Sequence, residues 1–374
     1  MIDTIIISIP RDKVINVLSP DQTSLGWARQ SSNSSYAKFI RNPSKRDLET
    51  GLYFPRLTGI NRTIKGHLES LIKVEFSIPK LIYSNNLDEL EEKDFLEVIC
   101  TLKYRLLRMG IAVQEKYLIN APVSAVHYSK NIQLTDGFTS QYVLSELSKI
   151  DMRKSFDFSK TRFMNDGQSI YAYTISHSFV VYDKVADLKK DDKRAIDKDQ
   201  THYQQSLFDD LKDKEMYEVL RFEVRLSQKR KMNSLFKKLG IKENPSFKEA
   251  FSTGTSQKIV NHYWQTLVSS NSMLLFSFIS TPKDILRQIL VANPKLKPKQ
   301  ALYFANLVNM TKDGNGTREL RSIICKYSDQ RTWYRMKGDI KEVTQLLKKI
   351  RPRDWFDQIE KGLKEYKTFK NNSP

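Results

Sequence analysis

Three polar residues stand inside apolar, strand-like segments, and a tyrosine lies in a fourth segment of the same kind. Glu75 lies within LIKVEFSIP, His127 within VSAVHYSKNI and Glu223 within VLRFEVRL. A buried carboxylate or imidazole in such a strand needs a partner. Tyr182 lies in SHSFVVYDKVADL, and a tyrosine can attack a phosphodiester when such ligands hold a divalent cation at the scissile phosphate. These residue types indicate metal-assisted transfer of a DNA strand to tyrosine.

The strand pattern around the tyrosine predicts the direction of its side chain. Because side chains alternate along a strand, Phe179 and Val181 are expected on one face, and Val180, Tyr182 and Lys184 on the other. The ammonium of Lys184 would then lie on the face of the tyrosine. There it could hold a phosphate or lower the pKa of the phenol.

Each of these residues also has a purely structural interpretation. The chain contains 17 tyrosines, and a strand tyrosine beside a charge is commonly a half-buried packing residue. Glu223 lies between Arg221 and Arg225, and Lys73 stands near Glu75, so ion pairs within the sheet can neutralise both acids. The histidine is one of five and can be a satisfied imidazole. A metal site is favoured only if the three strands converge.

The composition points to a polyanionic partner. The chain has 374 residues, with 62 Lys and Arg against 43 Asp and Glu, which gives a formal net charge of +19. Nucleic acid is therefore the first partner to consider. The longest apolar run, 273–279, is far shorter than the ~20 residues of a spanning helix, and MIDTIIISIP is interpreted as a first strand, not a signal peptide. We therefore expect a cytoplasmic protein without a membrane partner.

Other common chemistries lack their motifs in this sequence. The chain has no GxxxxGK[ST], GxGxxG, HExxH or GxSxG segment, which disfavours nucleotide hydrolysis, dinucleotide binding, zinc proteolysis and α/β-hydrolase chemistry. Cys100 and Cys325 lack CxxC spacing, which argues against a thiolate zinc site, and we expect both to be buried. Two basic stretches with interleaved aromatics suit a phosphate track with stacking platforms: Tyr36, Lys38, Phe39 and Arg41, and Trp333, Tyr334, Arg335 and Lys337.

The order of strand-like and helical patterns predicts an α+β fold. Strands are expected at 2–9, 53–58, 68–78, 123–134, 169–184 and 218–226. Helices are expected at 87–109, ended by Gly110, and at 141–150, after the capping candidates Thr139 and Ser140. One or two antiparallel sheets are compatible with this order, and so are two βαβ-like halves. The charged segment 187–217 is interpreted as an exposed helical insertion.

After residue 226 the pattern becomes helical, with a basic stretch at 229–242 and prolines at intervals. We place a domain boundary near residue 240, so that residues 1–240 form the tyrosine endonuclease domain and 241–374 a helical DNA-binding domain. Within it, helix, glycine-bearing turn and helix at 296–338 form a possible helix-turn-helix.

Taken together, seven segments resemble the replication initiators of the filamentous-phage gene II/X family, which are related to rolling-circle plasmid initiators and HUH endonucleases. These segments are MIDTIIISIP, LIKVEFSIPK, VSAVHYSKNI, SFVVYDKVADL, VLRFEVRL, ALYFANLVNM and RTWYRMKGDIKEV. The resemblance runs nearly from end to end and rests on the order and spacing of the segments. It implies an HUH/RRM-like nuclease sheet and an enzyme that nicks origin DNA, stays bound to the 5′ end and leaves a 3′ hydroxyl as primer.

The resemblance also implies roles for particular residues. Tyr182 matches the nucleophile, and Glu75, His127 and Glu223 match positions expected to hold Mg²⁺ or Mn²⁺. The chain departs from the pattern in two respects: His127 stands where the family often has aspartate, and the His-hydrophobic-His pair of HUH enzymes is absent. Single-stranded or supercoiled origin DNA, with host helicase and polymerase, are the implied partners. The residues expected to bind DNA are Lys38, Arg41, Arg56, Arg221, Arg225, Lys229, Arg230, Lys231, Lys237, Lys238, Arg331 and Arg335.

Two alternatives remain open on the sequence alone. A relaxase or transposase would use the same chemistry on other DNA. A non-catalytic protein could bind nucleic acid on an RRM-like sheet, and its activities would not depend on metal. A tyrosine recombinase is disfavoured because the chain has no Arg…HxxR…Tyr pattern near its end.

Overall fold

A computed structural model of the chain describes residues 1–16, 28–33, 36–44, 47, 49–64, 66–83, 86–151, 160–164, 167–188, 218–269, 281–312, 314–347 and 354–370. Two sequence interpretations fall outside these residues. They are the charged insertion from residue 189 onward and the apolar run 273–279.

Ten strands form one sheet, in which every neighbouring pair is antiparallel. The strands within the described residues are β1 (Ile2–Pro10), β2 (Val14–Asn16), β3 (Ala28–Asn33), β4 (Tyr36–Arg41), β5 (Arg56–Ile64), β6 (His67–Ser77), β7 (Ile111–Val113), β8 (Val123–Leu134), β9 (Lys160–Met164), β10 (Ser169–Tyr173), β11 (His177–Asp183) and β12 (Glu218–Leu226). The order across the sheet is β3-β4-β5-β6-β1-β8-β12-β11-β10-β9, and β2 pairs with β7 separately. The α+β class is therefore confirmed.

The predicted βαβ-like halves correspond to two split arrangements around a central strand. Strand β1 lies between β6 and β8, which run parallel to each other because both are antiparallel to β1. Strand β12 lies in the same way between β8 and β11. The connection from β6 to β8 is mostly helical, as in a split βαβ unit. The connection from β8 to β11 contains the helix Ser140–Ser148 and then the strands β9 and β10.

The described residues also form helices between and after these strands. They are α1 (Ile78–Tyr83), α2 (Phe95–Arg108), α3 (Glu115–Ile119), α4 (Ser140–Ser148), α5 (Lys184–Leu188), α6 (Lys229–Lys238), α7 (Phe247–Ala250), α8 (Thr253–Trp264), α9 (Pro282–Ala292), α10 (Pro298–Lys312), α11 (Gly316–Tyr327), α12 (Gln330–Leu347) and α13 (Asp354–Glu365). The two helices predicted in the first part of the chain are present as α2 and α4. The side chain of Thr139 caps α4 by accepting from the amide of Tyr142, and Gly110 follows α2 with a φ of 76°.

Helices cover one face of the sheet and form the main core there. The evidence is a set of aromatic pairs, each joining a strand to a helix. Phe222 meets Trp264 with ring centroids 5.4 Å apart, and Phe76 meets Phe247 at 5.7 Å. Because alternate residues of each strand point into this core, their neighbours in the sequence lie on the opposite face.

The domain boundary predicted near residue 240 does not coincide with a break in this core. Helices α7, α8 and α13 lie beyond it, yet Phe247, Trp264 and Trp355 are buried in the same cluster as the strand residues. A second cluster, centred on Phe304 and Trp333, joins α9 to α12. The sequence suggested a boundary where strands gave way to helices, but the first of these helices and the last complete the cover of the sheet.

Three further sequence predictions can be compared with the structure. Helices α10, α11 and α12 occupy the segment 296–338 with a turn at Gly314 and Gly316, both at positive φ, so its helix, turn and helix are present. Cys100 and Cys325 are exposed, and the prediction that they are buried was wrong, because each lies on the outward side of its helix. Among the described residues, no helix combines the length and apolar character needed to cross a bilayer.

Candidate active site

A cleft of about 570 Å³ opens on the sheet face that the helices leave uncovered. Most of its lining comes from strands that are distant in sequence and adjacent in the sheet, and loops and two short helices complete it. The lining residues that matter for chemistry are Asp3, Arg56, Glu75, His127, Tyr182 and Glu223. The sheet therefore brings the tyrosine and all three polar residues singled out in the sequence to one cavity.

Strand alternation explains how β12 supplies this cleft. Leu220, Phe222 and Val224 are fully buried in the helical core, so the alternate residues, including Glu223, point to the cleft. Across the sheet, Val180 of β11 is opposite Glu223, and Tyr182 is opposite Arg221. The side chain of Tyr182 thus points away from the helical core and into the cleft, as the strand pattern predicted.

Asp3 reaches the cleft because β1 contains a bulge. Ile2 pairs with Tyr128 and Thr4 pairs with the next residue of β8, His127, so Asp3 is the extra residue between them. Regular alternation would place Asp3 on the buried side of the strand with Ile5. Sequence reasoning missed Asp3 for this reason, although a lone acid in an apolar first strand was a visible signal.

The ligand atoms of Asp3, His127 and Glu223 all lie within 4.8 Å of one another. They come from β1, β8 and β12, three adjacent strands. Two carboxylates and one imidazole are donors that suit Mn²⁺, and Mg²⁺ prefers the oxygen ligands among them. This donor set fits a divalent cation, and Glu75 lines the cleft without joining the group.

Glu223 is ionised although its side chain is almost completely buried. Arg225 donates from Nε to Oε1 at 2.9 Å and from Nη2 to Oε2 at 3.1 Å, and Nδ1 of His127 lies 3.4 Å from Oε1. Burial opposes the charge, but Arg225 and His127 outweigh it and hold the pKa of Glu223 well below its usual value. The ion pair considered from the sequence is therefore formed with Arg225.

Arg221 connects the tyrosine to the bulge residue beneath the cleft. Its guanidinium donates to Asp3 Oδ1 at 2.9 Å and to Asn131 Oδ1 at 2.8 Å, and its side chain also interacts with the phenol of Tyr182 through a hydrogen bond. Burial raises the pKa of Tyr182 well above its usual value, and the charge of Arg221 offsets part of that rise. The phenol is thus protonated at neutral pH, with a fixed cation at hand.

Lys184 lies behind the cleft and does not line it. Strand β11 ends at Asp183, so Lys184 begins α5 and is completely buried. Its ammonium donates to Asp187 at 3.2 Å and lies 5.7 Å from the centroid of the Tyr182 ring. Burial lowers the pKa of Lys184 to about 8. It therefore contacts the ring of Tyr182 and the carboxylate of Asp187, and it is not one of the residues that line the cleft.

Two of the arginines expected to bind DNA are internal. Arg41 is buried and donates to the carbonyl of Met109, and Arg221 is 1% exposed with the partners named above. Both guanidinium groups are buried and donate hydrogen bonds within the protein, so neither is available to a phosphate. Trp333 is also buried in the second cluster and cannot serve as a stacking platform.

The other residues expected to bind DNA fall into three places. Arg56 and Arg225 line the cleft. Lys38 lies half-buried on β4. The remaining cations lie on helices α6 and α12, and all but the half-exposed Lys231 are exposed: Lys229, Arg230, Lys231, Lys237, Lys238, Arg331 and Arg335.

Comparisons with protein-family models, with curated proteins and with solved structures found no match to this chain.

Proposed function

We propose that this protein is a metal-dependent DNA-nicking enzyme in which Tyr182 is the nucleophile. One observation carries the proposal: Tyr182 shares a cleft with the group Asp3, His127 and Glu223, on adjacent strands of one sheet. The net charge of +19 favours a polyanionic substrate. A tyrosine, a cation site and a basic chain together are the parts needed for attack on a phosphodiester.

In the proposed reaction the phenolic oxygen of Tyr182 attacks the scissile phosphorus. The phenol loses its proton, the bond from its oxygen to phosphorus forms, and the bond from phosphorus to the 3′ oxygen breaks. The 3′ oxygen gains a proton and becomes a free hydroxyl, while the 5′ phosphate stays on the tyrosine. A cation held by Asp3, His127 and Glu223 would withdraw charge from the phosphate.

Arg221 and Arg225 have distinct roles in this proposal. Arg221 stabilises the phenolate that forms on Tyr182 and keeps Asp3 in place. Arg225 holds the carboxylate of Glu223 and lines the cleft. It must therefore shift its hydrogen bonds when a cation or a phosphate enters.

Initiation of rolling-circle replication is the finer form of the proposal. It is supported by the resemblance to gene II/X initiators and implies an HUH/RRM-like nuclease sheet. It also implies single-stranded or supercoiled origin DNA as substrate, Mg²⁺ or Mn²⁺ as cofactor, host helicase and polymerase as partners, and a cytoplasmic location. A relaxase or transposase would share the tyrosine chemistry and differ in the DNA it cuts.

The direct test is formation of a covalent protein–DNA adduct. The protein is incubated with Mn²⁺ and a pool of single-stranded oligonucleotides of random sequence, and adducts are separated on a denaturing gel. We expect an adduct with the wild type and none with Tyr182→Phe or after chelation of the metal. Tyr104→Phe, at an exposed tyrosine on α2, is the matched control and should behave as the wild type.

An adduct that persists in Tyr182→Phe would refute the assignment of the nucleophile. DNA binding without any adduct, and without dependence on metal, would instead support the non-catalytic alternative. Sequencing the trapped DNA identifies the bases on each side of the cut.

A further inference from the structure

A second cleft of about 500 Å³ lies beside the active-site cleft on the same sheet face. We call it the Lys73 cleft. It is lined by Ser8, Arg62, Lys73, Ser124, Gln228 and Lys229, among others. We infer that the Lys73 cleft binds the single-stranded DNA segment that leaves with the 3′ hydroxyl. This inference rests on the proposed function, because it assigns the DNA on one side of the cleaved phosphodiester to the active-site cleft and the DNA on the other side to the Lys73 cleft.

The two clefts are adjacent along the strands. Lys73 and Glu75 lie two residues apart on the same face of β6, and they pair with Ser8 and Ile6 of β1. Two residues of a strand span ~6.8 Å. A DNA backbone that reaches Glu75 in the active-site cleft is therefore within about one nucleotide of Lys73.

The charge of the Lys73 cleft favours a phosphate backbone. Arg62 is neutralised by Glu69, with Nε and Oε2 2.5 Å apart, but within the described residues no carboxylate forms an ion pair with Lys73 or Lys229. Burial lowers the pKa of Lys73, and the cations Arg62 and Lys38 add to this effect. Glu69, which pairs with Arg62, is the one acid among the described residues that line the cleft, so Lys73 and Lys229 leave it with net positive charge, which favours an anionic ligand.

The remaining lining favours a single strand over a duplex. Pro10, Ile60, Leu71 and Pro122 provide apolar surface that can contact sugars and unpaired bases. The hydroxyl groups of Ser8 and Ser124 share a hydrogen bond of 2.7 Å across β1 and β8, and the hydroxyl that accepts in this bond can donate to a phosphate oxygen. Proteins that bind single-stranded nucleic acid combine cations that contact the phosphates with apolar surface that contacts the bases.

Helix α6 begins at the edge of the same cleft. Gln228 precedes the helix, and its side chain forms no capping hydrogen bond with the first turn, so it leaves the first amides of the helix to an anion. Lys229 adds a positive charge at this point. The helix thus extends the cationic surface that starts at Lys73.

The position of the cleft relative to Tyr182 assigns it to the leaving group. Strands β12, β8 and β1 separate β11 from β6, so Tyr182 and Lys73 lie on strands ~19 Å apart, and the Asp3 group stands between them. In an in-line displacement the attacking and leaving oxygens lie on opposite sides of phosphorus. The 3′ oxygen and the DNA attached to it therefore point away from Tyr182, toward Lys73.

The first experiment measures binding, independently of cleavage. Variants are made in a Tyr182→Phe background without metal, and their affinity for single-stranded oligothymidine is measured by fluorescence anisotropy over a range of salt. We expect Lys73→Ala to weaken binding about fivefold at 0.1 M salt and to reduce the salt slope by about 0.7, the contribution of one phosphate contact. Lys364→Ala, which removes an exposed charge from α13 on the helical face, should change neither. Affinity and slope that stay at the parent values in Lys73→Ala would overturn the inference.

The second experiment tests which side of the cut the cleft holds. Oligonucleotides bearing the trapped cleavage sequence are shortened from the 5′ end or from the 3′ end. Removing nucleotides 5′ of the cut should weaken binding to the parent and leave Lys73→Ala nearly unaffected, whereas shortening the 3′ side should weaken both alike. The opposite pattern would refute the assignment to the leaving strand. If no adduct forms but Lys73→Ala still lowers affinity, the nicking proposal fails and the cleft remains a DNA-binding site.

Discussion

Lys184 is a buried lysine whose removal should make the protein more stable at neutral pH. Its side chain is completely buried and has one carboxylate partner, Asp187, at 3.2 Å. Burial lowers the pKa of Lys184 to about 8, and the nearby charge of Arg221 acts in the same direction. The folded state therefore holds the proton of this ammonium less tightly than the unfolded state does. We expect Lys184→Met, which keeps the length of the side chain, to raise stability at pH 7.

The size and the pH range of this effect follow from the two pKa values. The pKa falls from 10.5 in the unfolded chain to about 8 in the fold, and each pKa unit corresponds to about 1.4 kcal/mol. Between these values the unfolded state binds more protons, so wild-type stability rises with pH. Relative to Lys184→Met, the wild type should gain about 3 kcal/mol between pH 8 and pH 10.5. Below pH 8 the difference between the two proteins should be constant.

Urea unfolding at a series of pH values measures this difference directly. Comparing the two proteins at each pH removes the titration of groups that they share. Lys364→Met, at an exposed lysine on α13, controls for the loss of one positive charge and should remain parallel to the wild type. A difference between wild type and Lys184→Met that does not change from pH 7 to pH 10.5 would refute the reasoning. So would a loss of stability in Lys184→Met at pH 7, because it would mean that the pair with Asp187 outweighs the cost of burial.

Three further outcomes are expected. Asp3→Asn should weaken Mn²⁺ binding by about tenfold or more, as measured by calorimetry. Glu75→Gln should weaken Mn²⁺ binding less than Asp3→Asn does. Equal effects of the two substitutions would place Glu75 among the metal ligands. Arg221→Met should lower the free energy of unfolding in urea by about 3–5 kcal/mol because it leaves a carboxylate without its partner, and adding Asp3→Asn should recover part of the loss. The hydrogen bond from Lys242 holds the pKa of Glu249 at about 2. The stability that Glu249 contributes is therefore present above pH 4.5 and lost as the pH falls toward 2. In Glu249→Gln, the free energy of unfolding should depend less on pH in that range.

Local sequence patterns were sufficient to predict the central strands and the side-chain direction of Tyr182. The predicted strands 123–134 and 218–226 coincide with β8 and β12, because apolar residues there recur with a strand period. Alternation also predicted the face of Tyr182, whereas Lys184, expected on the same face, begins α5 and is buried. The single strand predicted over 169–184 is two antiparallel strands, β10 and β11, and the strands β2, β3, β4, β7 and β9 were not predicted. They are short or polar, and their backbone pairing depends on neighbours supplied by the fold.

Long-range packing decided which residues meet in the site and which serve the fold. Asp3 joins His127 and Glu223 because β1 is inserted between β6 and β8 with a bulge, and no local pattern in the first strand encodes that insertion. Arg221 is an internal partner of Asp3, although it was expected to bind DNA. The sequence alone thus determined the element types, the alternation of faces and the basic charge, since these depend on side-chain period and composition. Only the tertiary structure decided the ligand group, the buried arginines and the position of the Lys73 cleft, since these depend on the pairing of strands far apart in the chain.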